Sequence, residues 1–184
     1  MRFQADRIRK ELKHICRNFK SVRVEDIPAL ELYMDQVTGL LEKHLRGPTR
    51  HPETDKVMTK TMINNYVKLQ YLKAPVNKKY DRLSVACLFV IAVLKPIYTI
   101  EEISRFIRLA LQFESADKVF DRFCDMTEQA VSCAFNRTSM PKAKEEGDPR
   151  DLFWNICNSF ASQLYVKKIY LQAPADEQLE FSTQ

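Results

Sequence analysis

The chain has 184 residues and a formal net charge of +5, with 45% apolar and 29% charged side chains. A core of domain size is therefore available, and wholesale disorder is excluded. Only 3 Gly stand against 8 Pro, and because Gly usually supplies the tight turns of strand-rich folds, the composition points to an all-α chain. The longest wholly apolar run, residues 85–94, is shorter than the roughly 20 residues of a membrane helix. Arg2, Asp6, Arg7, Arg9, Lys10, Glu11 and Lys13 leave no signal-peptide core at the N-terminus. A cytoplasmic protein with no membrane partner is expected.

Charge is unevenly placed. Residues 1–23 carry eight basic side chains against Asp6 and Glu11, a local +6. Residues 24–55 have three basic and seven acidic side chains, −4. Residues 56–82 return to +6, with Lys56, Lys60, Lys68, Lys73, Lys78, Lys79 and Arg82 against Asp81 alone. Two basic segments of this kind point to a polyanionic partner; a solvated helix face is the alternative for the first.

In chain order, Phe3, Ile8, Leu12, Ile15, Cys16 and Phe19 recur at helical spacing, so residues 2–19 read as a basic amphipathic helix that docks on its own domain or lies on a membrane surface. Asp26 and Pro28 look like the cap and first turn of a second helix, whose stripe is Leu30, Tyr33, Met34, Val37, Leu40, Leu41 and Leu45. Gly47-Pro48 ends it, and a loop runs to Asp55. Thr59 caps a short helix with Met62, Ile63, Tyr66 and Leu69 on its core face and Lys60, Thr61, Asn64, Asn65 and Lys68 projecting elsewhere. Thr and Asn are middling helix formers, so their presence calls for a local cap or a recognition role. Ala74-Pro75 stops the helix before Val76-Asn-Lys-Lys-Tyr80, a short extended basic turn.

A helix opening at Asp81 is apolar on nearly every side and marks the core. Thr99 and Glu102 form a capping box for residues 100–112. Residues 115–136 and 150–171 are two longer helices, separated by a polar loop. The second bears Phe153, Ile156, Phe160 and Leu164 on one face and Trp154, Ala161, Tyr165 and Ile169 on the next. So broad an apolar surface needs cover on two sides, either from this chain or across a homodimer seam. Residues 173–184 read as a flexible tail.

Cys16, Cys87, Cys124, Cys133 and Cys157 are odd in number and have no CxxC spacing, and His14, His44 and His51 are scattered, with only His14 close to a Cys. Neither a disulfide framework nor a metal site is expected. No P-loop, GxGxxG, GxSxG or HExxH occurs, so no catalytic residue and no cofactor is assigned, and an enzyme is not expected.

The stretch Thr59-Lys-Thr-Met-Ile-Asn-Asn-Tyr-Val-Lys-Leu-Gln-Tyr-Leu72 resembles the recognition helix of MerR-type regulators. Asn77-Lys-Lys-Tyr80 resembles the end of their wing, and Tyr98-Thr-Ile-Glu-Glu-Ile103 the segment that follows. Together with Ile27-Pro-Ala-Leu-Glu-Leu-Tyr-Met-Asp-Gln-Val37, these motifs are similar to an uncharacterised family of Firmicutes, domain of unknown function 1836, over about residues 25–135. The MerR resemblance implies a recognition helix in the major groove, a wing on phosphates and a dimer on a palindrome. By position, Thr61 and Asn64 stand where MerR proteins carry Arg, Tyr66 matches a Tyr that contacts backbone, and Lys78 and Lys79 match wing cations. The first helix is longer than usual and the wing shorter.

The combined expectation is an all-α protein in four parts: a basic helix (1–23), a MerR-like winged helix-turn-helix core with a reduced wing (24–113), a dimerisation or effector region of two longer helices (114–172) and the tail. It would regulate transcription by binding DNA. Thr59, Lys60, Thr61, Asn64, Asn65 and Lys68 would face the groove, where either Asn could read adenine. Tyr66, Lys73, Lys78, Lys79 and Arg82 would face the backbone. The alternative is an adaptor that binds a protein or small ligand around Trp154, Phe160 and Tyr165. The effector, the target site and the oligomeric state are not readable.

Overall fold

The computed structural model describes residues 10, 12–45, 57–141 and 149–171. The N-terminal part of the expected first helix, the Gly47–Asp55 loop, most of the loop before the last helix and the tail lie outside these residues. The described chain is mostly helical. In order come α1 (residues 12–18), a 3₁₀ turn Val24–Asp26, β1 (Leu32–Tyr33), α2 (Met34–Leu45), α3 (Lys60–Lys68), β2 (Lys79–Tyr80), α4 (Arg82–Leu94), α5 (Ile100–Ala110), α6 (Ala116–Asn136) and α7 (Pro149–Val166), which runs into a π-turn Lys167–Leu171. The all-α expectation is corrected by the small antiparallel sheet, in which Leu32 faces Tyr80 and Tyr33 faces Lys79.

That sheet also moves the start of α2. Residues 32 and 33 pair as a strand, so Leu30 (80% exposed) and Tyr33 (51%) leave the expected helical stripe, while Val37 and Leu41 of that stripe are buried and anchor α2. Asp26 does not cap α2; its carboxylate accepts the Arg23 N–H at 2.8 Å and closes the 3₁₀ turn. At the true start of α2, the Gln36 side chain accepts the Tyr33 N–H at 2.9 Å. The capping box of α5 forms as read, with Thr99 Oγ1 accepting the Glu102 N–H and Glu102 Oε2 accepting the Thr99 N–H.

One continuous core extends from Ile15 on α1 to Ile169 beyond α7. At its centre, α4 buries Ser84, Val85, Ala86, Leu88, Phe89, Val90, Ile91, Ala92 and Leu94, and α2, α5 and α6 pack around it. Phe106 of α5 joins both long helices, 6.1 Å from Phe123 and 5.5 Å from Phe153. Cys157 meets Phe123 and Thr127, while Tyr165 meets Phe135. The contacts advance together along both helices, so α6 and α7 run side by side in the same direction. Phe160 contacts Phe19, and Phe153, Cys157, Phe160, Ala161 and Leu164 are buried within this one chain.

The N-terminal segment is held by α6. Asp121 accepts the Val24 N–H (2.9 Å), Glu128 accepts the Ser21 N–H (2.7 Å), and Arg23 pairs with both Asp125 and Glu128. Lys20 lies 3.7 Å from Glu128. Part of the first basic segment is thus spent on the chain's own carboxylates.

The entry to α3 is clamped from two sides. The Val57 N–H donates to Glu42 Oε1 of α2 (2.8 Å), and Lys95 Nζ at the end of α4 donates to the Val57 carbonyl (2.9 Å). Val57 and Met58 are both buried, so these peptide groups have little access to water. Lys95→Met keeps the aliphatic stem and removes the donor. It is expected to cost about 1–3 kcal/mol, read from the urea midpoint. An unchanged midpoint would show that the clamp is not needed.

Candidate nucleic-acid interface

Helix α3 begins where Thr59, in extended backbone, accepts the Met62 N–H on its hydroxyl. It ends with Gln70 in the left-handed region (φ 61°), where the N–H groups of Gln70 and Tyr71 bond back to Val67 and Tyr66. That arrangement satisfies carbonyls the helix end would otherwise orphan. Tyr71 then donates its hydroxyl to Glu101 of α5 at 2.9 Å. Ile63 is fully buried and Met62, Tyr66 and Val67 are half-buried, whereas Leu69, expected on the core face, is 58% exposed. Leu69 is the C-cap residue of α3, where the backbone has already left helical geometry (ψ 5°), and its side chain stays outside the core.

The opposite arc of α3 is Lys60, Thr61, Asn64, Asn65 and Lys68, all exposed. Thr59 is outside it, its hydroxyl occupied by capping. Tyr66 also faces inward; burial pushes its hydroxyl pKa up. Lys60 is in an ion pair with Asp35 of α2.

After α3 the chain makes a hairpin. Val76 and Lys79 exchange both backbone hydrogen bonds (3.0 and 2.9 Å), with Asn77 (φ 51°) and Lys78 (φ 64°) between them. Positive φ at both central residues is the type I′ turn, whose twist suits strands. By residue pattern alone the segment shows only a basic turn, because the usual hairpin signal is Asn-Gly and here it is Asn-Lys. Directly opposed residues share a face of a sheet, so Tyr33, Lys79 and Val76 form an outer row while Leu32 and Tyr80 are buried. Lys79 Nζ sits 5.1 Å from the Tyr33 ring centroid, a cation–π placement.

Of the remaining expected backbone contacts, Lys73 pairs with Asp81 at 3.0 Å and Arg82 opens α4, with its Nε buried and unpartnered. Both α3 and β2 pack on α2, which therefore carries the exposed arc and the hairpin together. Among the described residues Lys68 and Lys78 are in no ion pair, so the local charge is partly committed and partly available.

Asp81 caps α4 by accepting the Ser84 N–H at 2.8 Å. Burial alone would raise its carboxyl pKa, but hydrogen bonds from Ser84 and Lys73 outweigh that and hold it below the ordinary value. The thiols behave oppositely: burial pushes Cys87 up to about 11 and Cys157 up to about 12, which makes them poor nucleophiles. Among the described residues no group of three or more His, Cys, Asp and Glu could hold a metal ion, and no helix is long and apolar enough to cross a membrane.

Two outcomes follow from this geometry. Because Asp81 is held below its unfolded value, its stabilisation is complete above about pH 4 and is lost as pH falls through the depressed folded value. Asp81→Ala is expected to cost about 1 kcal/mol, and Asp81→Asn less because the amide oxygen still caps. Urea midpoints taken from about pH 6 to about pH 2 should show a flatter acid limb in Asp81→Asn. Separately, a non-Gly residue in the left-handed region costs roughly 1–2 kcal/mol, so Lys78→Gly should raise stability by about 1 kcal/mol. A lower urea midpoint would contradict the turn assignment.

No curated protein and no solved structure matches the chain. A family model described as Domain of unknown function (DUF1836) matches residues 22–125, from the segment held by α6, through the sheet, α3 and the hairpin, into α6 itself. That is more than half of the 184 residues, and the chain belongs to the DUF1836 family.

Proposed function

We propose that the protein is a DNA-binding transcriptional regulator in which α3 is the recognition helix and the Val76–Tyr80 hairpin is the wing. The observation that carries this reading is the exposed arc Thr61, Asn64, Asn65 and Lys68 on a helix that packs on α2, as does the hairpin whose tip holds Lys78 against its backbone preference. The order strand, helix, helix, hairpin, with β1 paired to the hairpin, supports a MerR-like winged helix-turn-helix. A cytoplasmic, bacterial setting in Firmicutes and a dimer on a two-fold site belong to the same proposal.

On this reading Thr61, Asn64, Asn65 and Lys68 enter the major groove, and Lys78 and Lys79 meet phosphates. Lys60 and Lys73 contribute once phosphate displaces Asp35 and Asp81. Both pairs are solvent-exposed, with Lys60 58% and Lys73 68% accessible, and exposed pairs are worth at most about 1 kcal/mol. Thr59 and Tyr66 position α3 rather than touch DNA. The adaptor alternative is less favoured because its aromatic face is already engaged. Phe160 is buried, the Trp154 N–H donates to the Met140 carbonyl (3.4 Å), and the Tyr165 ring lies 5.2 Å from Phe135.

The test is a fluorescence-anisotropy titration of a mixed duplex library at several salt concentrations. Salt-sensitive binding is expected. Replacing both Lys78 and Lys79 by Ala should weaken every sequence alike and flatten the slope of log K against log salt by about 1.8, for two lost phosphate contacts. If the double variant keeps the parent's slope, the hairpin does not touch phosphate.

A further inference from the structure

We infer that α3 selects A·T base pairs, in a run of two to three at each half-site. The inference rests on the DNA-binding reading and narrows it to a class of sequence.

The helix Lys60–Lys68 contains no Arg, Asp or Glu. Its exposed arc therefore lacks the guanidinium fork that most often reads guanine and the carboxylates that accept from cytosine. Lys could serve guanine, but Lys60 is turned to Asp35 and Lys68 lies in the last turn. The central positions are Thr61, Asn64 and Asn65. A carboxamide presents one donor and one acceptor side by side, matching N7 and N6–H₂ of adenine, and the Thr methyl complements the C5-methyl of thymine.

The two carboxamides are also uncommitted. Asn18 and Asn155 donate to the carbonyl four residues earlier (both 2.8 Å), and Asn136 to Ser132 Oγ (3.2 Å). Asn64 and Asn65 make no such bond among the described residues, although both sit within a regular helix with that carbonyl in reach. No described residue bonds to either carboxamide, and Asn is not favoured in a helix for its own sake. Thr61 and Asn65 are four residues apart, about 6 Å along the axis, which spans about two base steps of roughly 3.4 Å. Lys68 and Lys78 supply cations at the margins, as a phosphate-flanked groove requires.

A duplex library randomised over the half-site is titrated with the full chain at low and moderate salt, and the retained sequences are read. The enriched duplex is then rebuilt with 7-deazaadenine, which deletes N7, or with uracil, which deletes the methyl, leaving charge and pairing unchanged. The expected result is A·T enrichment and a loss of about 5-fold or more on deleting a contacted N7. In Asn64→Ala or Asn65→Ala the discrimination against G·C at the matching position should fall by about 5- to 150-fold. Ala is the stronger helix former, so both variants should melt no earlier than the parent, which a thermal scan checks. Salt-sensitive binding with G·C enrichment, or with none, overturns the A·T inference and leaves DNA binding standing. Absence of salt-sensitive binding overturns both.

Discussion

A helix that is apolar on nearly every side is not stable in water alone, and α4 is such a helix. Its burial obliges α2, α5 and α6 to surround it. Each of those helices then shows its own apolar stripe to α4 and its polar side outward. The two ends of α4 serve the candidate interface as well. Asp81 at its start caps the helix and holds Lys73, and Lys95 at its end holds the Val57 carbonyl at the entry to α3. The most apolar element therefore fixes the position of the most polar one.

The distribution of charge takes on meaning only through this packing. Counted along the chain, residues 1–23 and 56–82 are equally basic. In the folded molecule Lys20 and Arg23 are drawn to the acidic face of α6, so the described part of the first segment is a strap, with Ile15 and Val22 buried beneath it. In the second, Lys60 and Lys73 are paired at the surface, Lys79 lies over Tyr33, and Lys68 and Lys78 project. Surface pairs hold their cations weakly, so a dense line of phosphates is the kind of partner able to compete for them.

Scarcity of Gly was a good guide to the helices and a poor one to the turns. The chain places Gln70, Asn77, Lys78 and Arg137 at positive φ, using ordinary side chains where Gly would be easiest. Two of these close α3 and α6, and the other two make the hairpin. Each costs free energy locally and is held by the backbone bonds and packing around it. The hairpin was invisible for this reason: its composition carried no turn signal beyond Asn, and its strands are two residues long, too short for an alternating pattern to register.

The sequence by itself determined the helical periods, the identity of the core helix, the Thr59 and Thr99 caps and the polar composition of α3. All are local, arising from spacing along a helix or from a side chain reaching its own backbone three residues on. Only the tertiary structure decided that residues 32 and 33 leave α2 to pair with Lys79 and Tyr80, that Leu69 stays outside the core, and that α6 and α7 run in the same direction. It also decided which cations are committed to carboxylates. Apart from Lys73 and Asp81, these outcomes depend on partners roughly 25 to 110 positions away, and no local pattern encodes that geometry.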